Sequence, residues 1–112
     1  MSVFMQATIK VEAYQLQAFL DVLLNDLVPI MEEQGWKLHG SFVQRYGAIK
    51  PAVIIDLWEM ENMQHVEHVM SGDGYRNDPR YQRAMGTLRG AILDETVIFM
   101  EKRGGALQPI YV

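Results

Sequence analysis

One stretch constrains the chain more than any other: residues 52–60, AVIIDLWEM. Pro51 stands before it, and the polar Glu61 and Asn62 follow. A short apolar run of branched side chains with such boundaries reads as a buried strand. Side chains alternate along a strand, so Asp56 and Trp58 share a face. A carboxylate beside an indole on an otherwise apolar face is the most site-like feature of the sequence.

The flanking segments fix what this strand pairs with. Residues 3–13 alternate strictly: Val3, Met5, Ala7, Ile9, Val11 and Ala13 against Phe4, Gln6, Thr8, Lys10 and Glu12. That is a strand with one apolar and one mixed face. The period then changes to three and four, with Leu16, Phe19, Leu20, Leu23, Leu27, Ile30 and Met31 on one side of an amphipathic helix. Pro29 inside that pattern predicts a kink or a lost backbone hydrogen bond, and Gly35 predicts the stop. Alternation resumes over residues 36–46, and residues 47–51 make a turn into the central strand. Two strands so closely linked predict an antiparallel hairpin. A turn centred between Ala48 and Ile49 sets His39 opposite Trp58, Ser41 opposite Asp56 and Val43 opposite Ile54. Residues 62–70 read as a short helix broken by Ser71-Gly72-Asp73-Gly74. Asp78-Pro79 starts another helix, with Tyr81, Met85, Leu88 and Ile92 on its buried side. Residues 95–101 read as the last strand, and Gly104-Gly105 releases an apolar tail.

The order strand, helix, strand, strand, helix, strand predicts an α+β, ferredoxin-like split βαβ fold, β-α-β-β-α-β, with helices on one face of a four-stranded antiparallel sheet. At 112 residues the chain holds one such domain, residues 1–103, followed by a tail, residues 104–112. Both faces of the sheet carry large apolar side chains. Leaving one in water costs about 25 cal/mol per Å², so a partner subunit is expected over it, most simply in a symmetric homodimer.

Composition removes several function classes. A net charge of −4 with scattered Lys and Arg argues against a nucleic-acid or polybasic membrane partner. The absence of cysteine excludes disulfides, thiolate nucleophiles and iron–sulfur clusters. The N-terminus lacks the features of a signal peptide, and residues 16–31 carry too many polar groups to span a membrane, so a cytoplasmic protein is expected. No phosphate-binding glycine loop is present, and the eight methionines read as core filler.

Three stretches resemble the NIPSNAP-like branch of the dimeric α+β barrel superfamily. They are the helix QAFLDVLLNDLVPIMEEQGW, the strand end DLWEME and the helix entry DPRYQRA. The resemblance runs over most of the chain. It implies sheet-to-sheet dimerisation and a pocket between sheet and helices. It also implies relatives that include cofactor-independent monooxygenases, polyketide cyclases, muconolactone isomerases, haem-degrading enzymes and proteins without a known reaction. Two departures matter. Glu12-Ala13-Tyr14 stands where the family usually has a Lys-Pro-Gly type turn, and Asp56 stands where it often has histidine.

Each candidate residue admits two readings. Asp56 is a general acid or base with a raised pKa, for a substrate stacked on Trp58, or it is a carboxylate tied to Ser41 or Arg45 beside a core indole. His39 is a proton shuttle or a strand histidine facing solvent or the dimer seam. His65 and His68 form part of a helix face in water, or one of them reaches the pocket as an acid or base; haem binding through either is a further alternative. Arg76 clamps an anionic oxygen or pairs with Asp73 or Asp78.

The expectation is a small homodimeric enzyme without a bound cofactor or metal. It acts on a small apolar, aromatic or polyketide-like enolisable molecule by isomerase, cyclase or monooxygenase chemistry. Asp56, His39 and His65 are the expected catalytic groups, and Trp58, Arg45, Tyr75, Arg76, Tyr81 and Leu88 the substrate contacts. The alternative is a non-catalytic ligand-binding or interaction module.

Overall fold

The structure, a computed structural model, describes residues 2–44, 51–71 and 75–104. Each run of period two becomes a strand: β1 (Val3–Val11), β2 (Lys37–Val43), β3 (Ala52–Met60) and β4 (Ile92–Glu101). They form one sheet in the order β2-β3-β1-β4, every neighbouring pair antiparallel. The helical runs become α1 (Leu16–Val22), α2 (Val28–Glu33), α3 (Met63–Ser71) and α4 (Pro79–Ala91). The burial alternation of β3 is complete: Ala52, Ile54, Asp56, Trp58 and Met60 are buried beneath the helices, and Val53, Ile55, Leu57 and Glu59 lie on the far face. This is the ferredoxin-like arrangement expected of the sequence, with helices on one face. No helix among the described residues is long and apolar enough to cross a membrane.

Pro29 is accommodated without a break. A π-helical turn, Leu23–Leu27, joins α1 to α2 and places Pro29 in the first turn of α2, where its missing N–H is not needed. The end of α2 is closed by two carbonyls. Trp36 N–H donates to Met31 O (3.2 Å) and Gly35 N–H to Glu32 O (3.0 Å). This double bond pattern needs a left-handed residue between, and Gly35 has φ 90°. The chain therefore leaves α2 with Trp36 turned back beside Met31, inside the core.

The core is in two parts. One packs Val28, Ile30, Met31, Trp36, Trp58, Met60, Val66, Val69 and Tyr75; the other packs Ile9, Val11, Phe19, Leu23, Ile54 and Leu88. Along β3, Ile54 belongs to one part and Trp58 to the other, so Asp56 sits at the junction. Its cross-strand neighbours are small: Ser41 on β2 and Ala7 on β1. Small side chains at the seam between two packed clusters leave a gap above Asp56.

Several boundaries differ from the sequence reading. β1 ends at Val11, and Ala13 enters a 3-10 turn, Ala13–Gln15. Ile92 opens β4 instead of closing α4, although it still packs on the core. Ser41 and Val43 pair with Asp56 and Ile54 as the hairpin geometry predicts, but Leu38, not His39, stands opposite Trp58. The register shifts between Leu38 and Gly40, and a bulge there turns His39 away from the helices. The turn placed at residues 47–51 lies almost wholly outside the described residues, as do Gly72, Asp73, Gly74 and the tail from residue 105.

Candidate functional site

The gap above Asp56 is the floor of a cleft of about 460 Å³ between the sheet and the helices. β1, β3 and β4 supply Met5, Ala7, Asp56, Trp58, Glu95, Val97 and Phe99. The helices and their connections supply Leu23, Leu27, Met31, Trp36, Met70, Tyr75, Arg76, Tyr81 and Met85. The size suits a small organic ligand, and an apolar lining with a few polar groups is the usual composition of such a site.

Asp56 is 2% exposed, and its Oδ1 has no hydrogen-bond partner. Burial pushes its carboxyl above the usual carboxylate range, and the charge of Glu95 adds to the rise. The Ser41 hydroxyl opposes both by favouring the carboxylate, without closing a well-formed hydrogen bond, and burial outweighs it. Glu95 arrives from β4, next along that strand's inner face from Val97, which pairs with Ala7. Partial desolvation raises its carboxyl too. The two acids thus line one largely apolar space, and the charge of Glu95 disfavours ionisation of Asp56.

A wall of aromatic rings runs from this floor outward. Trp58 meets Trp36 edge-on with centroids 6.0 Å apart; Trp36 meets Tyr75 at 6.4 Å, and Tyr75 meets Tyr81 at 4.7 Å. Such edge contacts hold ring positions with about 0.5–1.5 kcal/mol per pair beyond burial. Trp36 is 5% exposed, yet its Nε1–H has no acceptor. A buried N–H and a buried carboxyl oxygen without partners in one cleft are costly unless something enters to satisfy them.

Of the residues expected at the site, Asp56, Trp58, Tyr75, Arg76 and Tyr81 line this cleft. Arg76 is exposed at its edge; Asp78 pairs with Arg80 instead. His39 lies on the other face of the sheet, its Nε2 2.6 Å from Glu59 Oε1 and its ring 5.6 Å from that of Phe4. His65 is a latch: its Nε2 donates to Gln34 O at 2.7 Å, and its backbone N–H donates to Asn62 Oδ1 at 2.7 Å, joining the start of α3 to the end of α2. His68 is exposed, and among the described residues no three His, Asp or Glu side chains gather as metal ligands. Leu88 is buried within the second core cluster and does not line the cleft. Arg45 lies outside the described residues. Trp36, Glu95 and the methionines of the lining were missed. Trp36 carried a signal, since it follows the helix-stopping Gly35 and must turn inward; Glu95 carried none without the β1–β4 register.

Solved structures share this architecture. A NIPSNAP family protein from Agrobacterium tumefaciens superposes with a TM-score of 0.79 at 15% identity, over 97% of this chain and 100% of that one. A NIPSNAP domain protein from Burkholderia xenovorans gives 0.74 at 18% identity, over 98% and 100%. The fold is that of the NIPSNAP-like proteins. A protein proposed as an antibiotic biosynthesis monooxygenase, from Caulobacter crescentus, gives 0.65 at 12% identity, over 92% and 91%. The NIPSNAP-like fold is thus shared with monooxygenase-like chains, as the sequence resemblance implied. No family model and no curated protein matches the sequence.

Proposed function

We propose that the protein is a cofactor-independent enzyme that moves a proton on a small, apolar, enolisable substrate. The observation that carries this reading is Asp56, a carboxyl held at the floor of an apolar cleft with a free oxygen and a raised pKa. A base of that kind is matched to carbon acids better than an ordinary surface carboxylate. Asp56 Oδ1 takes a proton from the carbon next to the substrate carbonyl. The electron pair of that C–H bond moves to the carbonyl oxygen, and the resulting enolate accepts a hydrogen bond from Trp36 Nε1–H. Return of the proton to a different carbon completes an isomerisation; attack by the enolate on a second carbonyl would complete a cyclisation. The shared fold with monooxygenase-like proteins is compatible with oxygenation of the same enolate.

The active unit is a homodimer in this proposal. The outer sheet face presents Phe4, Phe42, Ile55, Leu57, Ile98 and Met100, with Phe42 57% and Ile98 47% exposed. An apolar area of that extent needs a cover, and a second copy offers an identical face. Light scattering should give twice the monomer mass.

The catalytic reading is tested by deuterium exchange at the α-carbon of aryl ketones and β-diketones in D2O, followed by NMR. Wild-type protein should accelerate exchange, and Asp56→Asn should abolish the acceleration while still binding the ketone. Binding without exchange in either protein would make the cleft a binding site and the chain a non-catalytic module.

A further inference from the structure

We propose that the cleft takes an amphiphile with a single permanent negative charge, whose apolar body lies along the aromatic wall and whose anionic group is held at the mouth by Arg76 and Arg89. The proposal rests on the cleft being a ligand site, as above, and names the class of ligand.

Beside the cleft lies a second concavity of about 490 Å³, lined by Arg76, Tyr81, Gln82, Met85, Gly86 and Arg89. It shares Arg76, Tyr81 and Met85 with the cleft, so the two spaces are continuous. Tyr81, Met85 and Arg89 recur every four residues on α4 and therefore form one stripe running along this mouth. Among the described residues, the ion pairs of arginine join Arg80 to Glu33 and Asp78, and Arg103 to Glu101; none joins Arg76 or Arg89 to a carboxylate. Two guanidinium groups have thus been brought to one opening in a chain whose net charge is −4. A basic mouth in an acidic protein is not a by-product of overall composition.

The polarity along the cleft sets the orientation. Tyr81 lines both spaces; burial holds its hydroxyl above the usual phenol range, the charges of Tyr75 and Glu95 add to the rise, and those of Arg89 and Arg76 oppose it. Asp56 and Glu95 both line the cleft, so its inner part is a poor place for an anion, while the unpartnered Nε1–H of Trp36, another lining residue, offers a donor to an oxygen acceptor. A ligand with one carboxylate or sulfonate and one carbonyl can satisfy both ends in only one direction: charge outward, carbonyl inward. The gap between them is bridged by rings, from Trp58 through Trp36 and Tyr75 to Tyr81. Bidentate recognition by arginine suits a planar carboxylate or a sulfonate.

The test uses two probes with the same aromatic body. 8-Anilino-1-naphthalenesulfonate carries one sulfonate, and N-phenyl-1-naphthylamine carries none. The chain has two tryptophans, Trp36 and Trp58, and both line the cleft, so quenching of intrinsic emission reports occupancy of this site. At low salt the sulfonate should bind about tenfold or more tightly than the neutral probe, with the advantage shrinking as salt is added. In Arg76→Gln/Arg89→Gln the advantage should fall to about twofold or less, with the neutral probe unaffected, and Arg76→Lys/Arg89→Lys should keep most of it. Both arginines are exposed, so these variants should fold, which an unchanged melting temperature checks. Equal affinity of the two probes for wild-type protein, or an advantage that survives in the glutamine variant, would overturn the anionic class while leaving the cleft as a ligand site. Failure of both probes to quench the tryptophans would overturn the class and the site together.

Discussion

Replacing Asp56 with asparagine should make the protein more stable, and by an amount that grows with pH. A carboxyl whose pKa is raised on folding holds its proton more tightly in the native state than in the unfolded chain. The contribution of Asp56 to stability is then greatest at low pH and falls as pH climbs from the ordinary value of 3.8 through the raised native value. Asparagine has the same shape and no proton to lose. It keeps one carbonyl oxygen in the cleft, puts an NH2 in place of the other oxygen and removes the charge. A buried polar atom without a partner costs about 1–3 kcal/mol and a charged one more, so the charge alone should account for about 1–2 kcal/mol at pH 8. For a domain of this size that is about 4–8 °C in melting temperature. Well below the ordinary value of 3.8 the carboxyl is protonated in the folded and the unfolded chain alike, and the difference should vanish. The assay is thermal unfolding by circular dichroism at a series of pH values and one fixed protein concentration, since association would otherwise move the midpoint. Pairing wild type with variant cancels the titration of every other carboxylate. A variant less stable than wild type at pH 8, or a difference that does not change with pH, would show that Asp56 is paired in the native state and would refute the reasoning.

Three further outcomes follow from the same contacts. Gly35→Ala should cost about 1–2 kcal/mol, because φ is 90° and a Cβ would stand 3.1 Å from His65 Cε1; denaturant melts measure it, and His65→Ala should relieve part of the loss in the double variant. His39→Ala should leave ligand binding in the cleft and any exchange activity unchanged, since His39 faces the opposite side of the sheet; a large loss in either assay would mean that the two faces are coupled. Gly86→Ala should stabilise α4 by about 0.5–1 kcal/mol, because nothing lies within 4 Å of the added carbon; weaker binding of the sulfonate probe by this variant would mark Gly86 as a place of close approach to the ligand.

The parts of this structure that could be read from the sequence are those set by neighbours along the chain. Alternation alone put Asp56 and Trp58 on one buried face, because period two leaves no choice once either is inside. The hairpin carried Ser41 and Val43 to their partners, since a short link fixes register. His39 escaped because a bulge costs one residue of register and leaves no mark in hydrophobic pattern. Glu95 escaped for a different reason. It reaches the cleft through the pairing of the first strand with the last, and nothing local encodes how those two strands align. His65 looked available on a helix face; only the fold shows that the carbonyl of Gln34 takes its Nε2.

Four of the eight methionines, Met5, Met31, Met70 and Met85, line the cleft. The chain has no cysteine, so methionine is its only sulfur. Peroxide therefore has no sacrificial thiol to consume first. Conversion of any of these four thioethers to a sulfoxide would put a strong acceptor dipole into the apolar space. In the proposed ligand site, the soft side chains that would let the cleft mould itself to a guest would also make its occupancy sensitive to oxidation, and a resident ligand would act as their shield.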